Sequence, residues 1–248
     1  MTMIGVPQVS CNEKCSTCST SLARYRPMSL KAQLDTCRCS FEANTAPDLV
    51  AAMQRLIRQL AETGPVANAV KAGEAAPRFR LRCGRGGFID LSDLLDRGPV
   101  VISFFRGDWC PFCALELKAL AAAYADIENL GARLIALSPQ ALGKSSPGGE
   151  NKLPFPTLHD PGCKIAARFR IAFIVPPQFR SAYLALGYPN SAKGNSTDWV
   201  LPIPATYVVD RTGLVVLSYL DADHTTRLEP TEIIAALTHL QAAHSAQE

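Results

Sequence analysis

The chain has 248 residues, 48% of them hydrophobic, which is enough for one medium-sized domain with a substantial core. Its formal net charge of +3 is too small to indicate binding to nucleic acid or to an anionic membrane surface, and no apolar run is long enough to span a membrane. Nine cysteines are too few for a disulfide-stabilised scaffold, so with no export signal at the N-terminus the composition predicts a cytoplasmic protein with a dedicated redox pair.

Residues 1–27 are polar and without pattern, and we expect them to form a disordered extension. Cys11, Cys15 and Cys18 have the C-x3-C-x2-C spacing that occurs in iron–sulfur radical enzymes. Such a cluster works inside a large substrate barrel, and this chain has no room for one. We therefore expect neither a metal site nor a cofactor.

A helical arm is predicted over residues 28–69. Ser29 is a suitable cap for a helix that continues to about Glu42, and Pro47 begins a second helix. The second helix carries an apolar stripe that consists of Leu49, Met53, Leu56, Ile57 and Leu60. This stripe must be buried, either against the rest of the chain or against a second subunit in a homodimer.

Residues 70–248 alternate between strand and helix patterns, which predicts an α/β domain. A hairpin is expected first, from Phe79 to Leu91, and a clean antiparallel hairpin is expected later, from Thr206 to Leu220. Between them, a buried strand, a helix from Pro111 to about Leu130 and a further strand predict a parallel crossover. A final helix from Glu229 to about Ala243 closes the sheet.

Cys110 and Cys113 follow the buried strand at the turn where the helix begins. Pro111 fits the first helical turn, because its missing N–H has no hydrogen bond to make there. The unpaired N–H groups and the positive dipole end of the helix favour a thiolate. A zinc site is disfavoured because no second cysteine pair follows and the four histidines are scattered. The pattern predicts a redox site.

The sequence around this pair resembles a known family. Trp109-Cys110-Pro111-Phe112-Cys113 is similar to the active-site turn of thioredoxin, and Phe104 to Leu117 resembles the peroxiredoxin-like branch of the alkyl hydroperoxide reductase/thiol-specific antioxidant family. Further similar stretches are Ala76 to Phe79, Ser138 to Gln140, Phe155 to Gly162 and Pro202 to Asp210. The resemblance implies a thioredoxin-like fold, with a central mixed sheet flanked by helices and preceded by the arm.

The resemblance also implies a function. We expect a thiol-dependent peroxidase that reduces hydrogen peroxide or organic hydroperoxides and is recycled by a thioredoxin-like donor. The alternatives are a thiol-disulfide reductase acting on protein disulfides and a redox-regulated binding protein. Thioredoxin-like proteins attack with the cysteine equivalent to Cys110, whereas alignment of Cys113 and Glu116 to peroxiredoxins puts Cys113 at their peroxidatic position. The order of attack stays open, and we favour Cys110.

Four further residues complete the predicted site. Arg106 is the nearest cation in the sequence and would stabilise a thiolate or orient a peroxide, unless it forms a surface ion pair with Asp108. Trp109 is expected to shield the sulfurs, and Glu116 is either a proton acceptor or an ordinary exposed carboxylate. By resemblance, Pro204 is the cis-proline of thioredoxin-like proteins. Peroxiredoxins have an arginine there, so we expect the second peroxide-binding cation to be missing.

Overall fold

The computed structural model describes residues 28–140, 153–186 and 199–245. The predicted disordered extension with its three cysteines, and most of the loops at 140–153 and 187–199, lie outside the described residues. Among the helices in the described ranges, none has both the length and the apolar character that a membrane crossing requires.

The helices and strands follow the predicted order with some additions. The helices are α1 (Leu30–Asn44), α2 (Pro47–Glu62), α3 (Pro65–Asn68), α4 (Leu91–Leu95), α5 (Pro111–Ala122), α6 (Tyr124–Asn129), α7 (Lys164–Arg168), α8 (Pro177–Ala185) and α9 (Pro230–Ser245), with a 3-10 turn at Pro161–Cys163. The strands are β1 (Arg80–Cys83), β2 (Phe88–Asp90), β3 (Val100–Phe104), β4 (Arg133–Ser138), β5 (Thr157–His159), β6 (Ala172–Ile174), β7 (Val200–Pro202), β8 (Ala205–Val209) and β9 (Val215–Leu220).

A seven-stranded mixed sheet forms the centre of the fold, in the order β2-β1-β5-β4-β3-β8-β9. Strand β3 pairs in parallel with β4 and antiparallel with β8, so it is covered on both edges. All five of its residues are buried, as expected for an uninterrupted apolar run in a sheet core. The predicted mixed sheet, its parallel crossover and both hairpins are confirmed.

Two details of the elements differ from expectation. The helix that begins at Pro111 is divided at Ala123, which ends α5 before α6 begins. Strands β5, β6 and β7 have three residues each and were not predicted. Segments this short carry too few residues to display a period, and their pairing partners hold them in place.

The helical arm packs on the body of the same chain. Ser29 caps α1, accepting a hydrogen bond from the Ala32 N–H at 3.2 Å. Leu30 and Leu34 are buried in a cluster with α5 residues that include Phe112 and Leu117. The stripe of α2 is buried against α8, in a cluster that contains Met53, Leu56, Leu60, Phe179 and Tyr183. Three of the five stripe residues are therefore buried within one chain, and Leu49 and Ile57 are half-buried against the same cluster.

The packing of α1 yields a stability prediction. Leu34 is 4% exposed, so Leu34→Ala removes buried apolar contacts and should lower the free energy of unfolding by about 2–5 kcal/mol. Lys31→Ala is the control, because the Lys31 side chain is 77% exposed and its ion pair with Asp35 contributes little. Thermal unfolding measures both variants. Equal melting temperatures for the two would show that α1 does not contribute to the fold of the body.

Candidate active site

The turn between β3 and α5 is held tightly by a neighbouring loop. Gly107 has a φ of 147°, and a Cβ on it would lie 2.2 Å from the Gln140 Oε1 atom. That oxygen accepts a hydrogen bond from the Asp108 N–H at 3.1 Å. Only glycine fits such a close approach. The turn then delivers Cys110 to the N-cap position of α5, with Pro111 in the first turn as predicted.

The two cysteines of the predicted pair lie together and are withdrawn from solvent. Cys110 is 1% exposed and Cys113 is 0% exposed. Cys113 donates hydrogen bonds to the Cys110 sulfur from its thiol and from its backbone N–H. The backbone contact is the helix N-terminal donor that the sequence predicts for this turn.

Arg227, which the sequence analysis did not single out, lies directly beside the pair. Its Nη2 atom is 3.2 Å from the Cys113 sulfur, and its Nε atom donates to the Glu116 Oε2 atom at 2.5 Å. Its Nη1 atom donates to the carbonyl oxygens of His224 and Thr226. The expectation that a second cation is missing is therefore wrong. Arg227 comes from the segment between β9 and α9, where its polar sequence neighbours make it look like a surface residue.

Glu116 is part of this buried cluster. The Glu116 and Arg227 side chains are each 2% exposed, so the reading of Glu116 as an exposed helix carboxylate is wrong. Its Oε1 atom accepts hydrogen bonds from the Ser103 and Thr206 hydroxyls, each at 3.4 Å. Burial raises the pKa of Glu116 to about 7, against the opposing charge of Arg227. These contacts fix the Glu116 carboxylate, which in turn holds the Arg227 guanidinium in position.

Arg106 is buried on another side of the pair. It is 1% exposed, which contradicts the alternative of a surface ion pair with Asp108. Its Nη2 atom donates to the Tyr183 hydroxyl at 2.7 Å, and its guanidinium lies 4.7 Å from the centre of the Trp109 ring. Trp109 is half-buried and packs against the cluster that contains both cysteines, as its predicted shielding role requires.

Pro204 does not have the predicted cis peptide bond. All peptide bonds within the described residues are trans. The trans form is the ordinary one for a bond that precedes proline. Pro204 stands between β7 and β8 and contributes to the wall of a cavity that also reaches Arg106.

This cavity lies beside Arg106 and is small. It encloses about 10 Å3, which is room for roughly one water molecule. Arg106 and His224 supply its charged and polar lining, and the remaining lining residues are Leu56, Ile57, Leu60, Phe173, Pro202, Ile203, Pro204 and Ala222. The lining is thus mainly apolar, and its guanidinium belongs to the residue whose charge lowers the pKa of Cys110.

The electrostatics favour a thiolate on Cys110. Burial raises the pKa of this thiol, but the hydrogen bonds from Cys113 and the charges of Arg106 and Arg227 outweigh burial and bring the pKa to about 6. Burial and the neighbouring Cys110 raise the pKa of Cys113. The Arg227 guanidinium contacts the Cys113 sulfur, and of the two thiols Cys110 has the lower pKa.

His224 adds a neutral imidazole to the site. Burial and the charges of Arg106 and Arg227 hold its pKa well below the usual value. No group of ligating side chains suited to a metal ion occurs within the ranges described above. The arrangement provides one thiolate, one thiol at hydrogen-bonding distance, and two guanidinium groups. It suits attack by one sulfur followed by disulfide formation with the other.

Comparisons with known proteins agree with this reading. The sequence model of the AhpC/TSA family matches residues 72–218. The chain is 28% identical over 163 residues to a chloroplastic peroxiredoxin Q of Triticum aestivum, covering 65% of this chain and 64% of the relative. It is 30% identical over 155 residues to a chloroplastic peroxiredoxin Q of Oryza sativa, covering 62% and 61%. The chain thus spans somewhat less than two thirds of these relatives.

A solved structure of Xanthomonas campestris peroxiredoxin Q has the same fold. It superposes with a TM-score of 0.52 at 16% sequence identity, over 68% of this chain and 99% of that one. The predicted thioredoxin-like architecture is thereby confirmed. The helical arm precedes the residues that the family model matches.

The pKa of Cys110 can be measured directly. Thiolate absorbance in the ultraviolet should rise as the pH of the reduced protein passes through about 6, because Cys110 loses its proton there. Cys110→Ser should abolish this transition. Cys113→Ser should retain a transition at low pH, because serine still supplies a hydroxyl donor. The reverse result in the two variants would assign the thiolate to Cys113.

Proposed function

Because the chain belongs to the AhpC/TSA family, we propose that it is a thiol-dependent peroxidase that reduces hydroperoxides with Cys110 and Cys113. The observation that carries this proposal is the Cys110 sulfur, buried in the field of two guanidinium groups and next to a second thiol. A lowered thiol pKa keeps the nucleophile ionised at neutral pH. Positive groups beside it favour the negative charge that passes to the leaving oxygen.

The proposed reaction has three steps. The Cys110 thiolate attacks the outer oxygen of the hydroperoxide, and the O–O bond breaks to give the Cys110 sulfenic acid. The departing alkoxide or hydroxide takes a proton from solvent water and leaves as alcohol or water. The Cys113 thiol then attacks the Cys110 sulfenic acid, which releases water and forms the disulfide. An external dithiol of the thioredoxin type reduces this disulfide and becomes oxidised itself. The cycle suits a reducing compartment such as the cytoplasm.

Arg227 would serve as the second cation in this cycle. Peroxide cleavage needs positive charge near both the thiolate and the leaving oxygen, and Pro204 cannot supply it. Arg227 reaches the pair from a different part of the chain and is fixed by Glu116 and two carbonyl oxygens. Arg106 is fixed by Tyr183 on the side that faces the cavity.

The alternative function, reduction of protein disulfides, is less well supported. A folded protein disulfide must bring its own sulfur into line with the attacking thiolate, which requires an exposed cysteine. Cys110 is 1% exposed and Cys113 is 0% exposed, so neither sulfur is presented at the surface. A small hydroperoxide does not need such a docking surface.

Arg227 provides a test of the peroxidase proposal. The change Arg227→Gln should slow the reaction with hydrogen peroxide at pH 7 by about tenfold or more, because the guanidinium stabilises the charge that develops on the leaving oxygen and loss of about 1.4 kcal/mol from the transition state corresponds to one decade. Stopped-flow fluorescence of Trp109 would follow the reaction. The exposed Arg58→Gln on α2 is the matched control and should react at the wild-type rate.

A double variant separates the effect of Arg227 on the peroxide reaction from its effect on the stability of the fold. Arg227→Gln alone leaves Glu116 buried without its charged partner, which is destabilising. The pair Arg227→Gln and Glu116→Gln removes both charges, so the fold should recover while the slow peroxide reaction persists. Recovery of the wild-type rate in the double variant would show that Arg227 acts only as a structural partner of Glu116 and not in the peroxide reaction.

The disulfide itself is a further prediction. One equivalent of peroxide should link Cys110 to Cys113 and leave Cys37, Cys39, Cys83 and Cys163 as thiols, since burial strongly raises the pKa of Cys163. Peptide mapping by mass spectrometry detects the link. In Cys113→Ser, dimedone should trap a sulfenic acid on Cys110. A sulfenic acid found instead on Cys113 in Cys110→Ser would reverse the order of attack.

A further inference from the structure

The loop that carries Arg227 and the arm helix α1 contact each other, although both lie outside the residues that the family model matches. The model matches residues 72–218, so α1 precedes the matched region and Arg227 follows it. Glu229, two residues after Arg227, accepts hydrogen bonds from two backbone N–H groups in the first turn of α1. The Leu30 nitrogen lies 3.3 Å from its Oε2 atom, and the Lys31 nitrogen lies 2.7 Å from its Oε1 atom. One carboxylate thus joins the arm to the loop that enters the candidate active site.

These hydrogen bonds use N–H groups that have no partner within the helix itself. The first N–H groups of a helix need acceptors from elsewhere, and a carboxylate suits them because the helix dipole is positive at this end. Ser29 provides an acceptor for the Ala32 N–H from within the arm. Glu229 provides the acceptors for the Leu30 and Lys31 N–H groups, although it lies 199 positions from Leu30. The start of α1 is therefore capped by the loop of Arg227.

Apolar packing reinforces this connection. Leu228 lies between Arg227 and Glu229 in the sequence and is 6% exposed. It belongs to the buried cluster that also contains Leu30 of α1 and both cysteines of the pair. Three consecutive residues of the loop therefore connect the cysteine pair, the core and the start of α1. A main chain that is held at Leu228 and Glu229 leaves little freedom to Arg227.

We propose that Glu229 is a positioning residue, which through its hydrogen bonds to the N-terminus of α1 holds the loop so that the Arg227 guanidinium contacts Cys113. This inference rests on the proposed peroxidase function, in which Arg227 is the second cation, and it adds the arm to that function. The guanidinium is 3.2 Å from the Cys113 sulfur and 2.5 Å from the Glu116 carboxylate, and both of these contacts hold only the side chain. Glu229 and Leu228 hold the main chain that carries it. With the loop released from α1, the guanidinium would spend part of the time away from the sulfurs.

A thiolate titration of the reduced protein tests the proposal without any peroxide. Arg227 is one of the charges that lower the pKa of Cys110, so Glu229→Ala should move the ultraviolet transition to higher pH by about half a pH unit or more. Loss of the Glu229 charge alone, with Arg227 in place, would move the transition to lower pH, so the direction separates the two effects. Glu232→Ala, at an exposed position in the first turn of α9, is the matched control and should leave the transition at the wild-type pH.

Two glutamine variants complete the titration. The amide oxygen of Glu229→Gln still accepts a hydrogen bond from α1, so this variant should shift the transition in the same direction as Glu229→Ala but by less. It decides the question if the alanine variant does not fold. In the Arg227→Gln background, Glu229→Ala should produce no further shift to higher pH, because the charge that Glu229 positions is already absent.

The rate of reaction with hydrogen peroxide at pH 7 gives a second readout. Glu229→Ala should slow this reaction by about threefold or more, whereas Glu232→Ala should react at the wild-type rate. If the wild type consumes peroxide no faster than a free thiol, the proposed function fails, while the titration still decides the role of Glu229. Transitions that stay at the wild-type pH or move lower in both Glu229 variants would overturn the inference. An equal upward shift in the Arg227→Gln background would overturn it as well.

Discussion

The candidate site depends on the buried ion pair between Arg227 and Glu116. Both side chains are 2% exposed, and removing two charges from water is costly unless every polar atom finds a partner. The partners come from Ser103 on β3, Thr206 on β8 and Cys113 on α5, so the pair joins the centre of the sheet to the redox helix. A buried ion pair is weak evidence for stability, and its value here lies in fixing a positive charge against the cysteines.

The positive charge beside the cysteines comes from a part of the chain that the family resemblance does not indicate. A thiolate that attacks an O–O bond needs cations at defined positions in space, whatever segment carries them. Pro204 stands where the resemblance puts an arginine, and Arg227 reaches the cysteine pair from the segment before α9. A change at one position of a sequence motif therefore does not remove the chemistry, provided that another side chain reaches the same point.

The parts of the fold and site that the sequence predicts are those encoded locally. Strand β3, the start of α5 at Pro111, both hairpins and the cap at Ser29 each depend on a few adjacent residues, and all are found. The burial of Glu116 and the role of Arg227 depend on a contact between residues 111 positions apart, which no local pattern encodes. The apolar stripe of α2 predicts that this face of the helix is buried. The sequence does not indicate that α8 is the helix that covers it, because that contact forms only in the tertiary structure.

Burial and the two guanidinium groups together set the reactivity of the cysteine pair. Burial alone would raise the pKa of Cys110, because it disfavours the charged thiolate. The same low dielectric strengthens the attraction to the two guanidinium charges, which lower the pKa. The arm contributes to this burial, because α2 packs on α8 and the Tyr183 hydroxyl of α8 accepts the hydrogen bond from Arg106. The packing that holds Arg106 near Cys110 therefore also depends on a helical arm that precedes the residues matched by the family model.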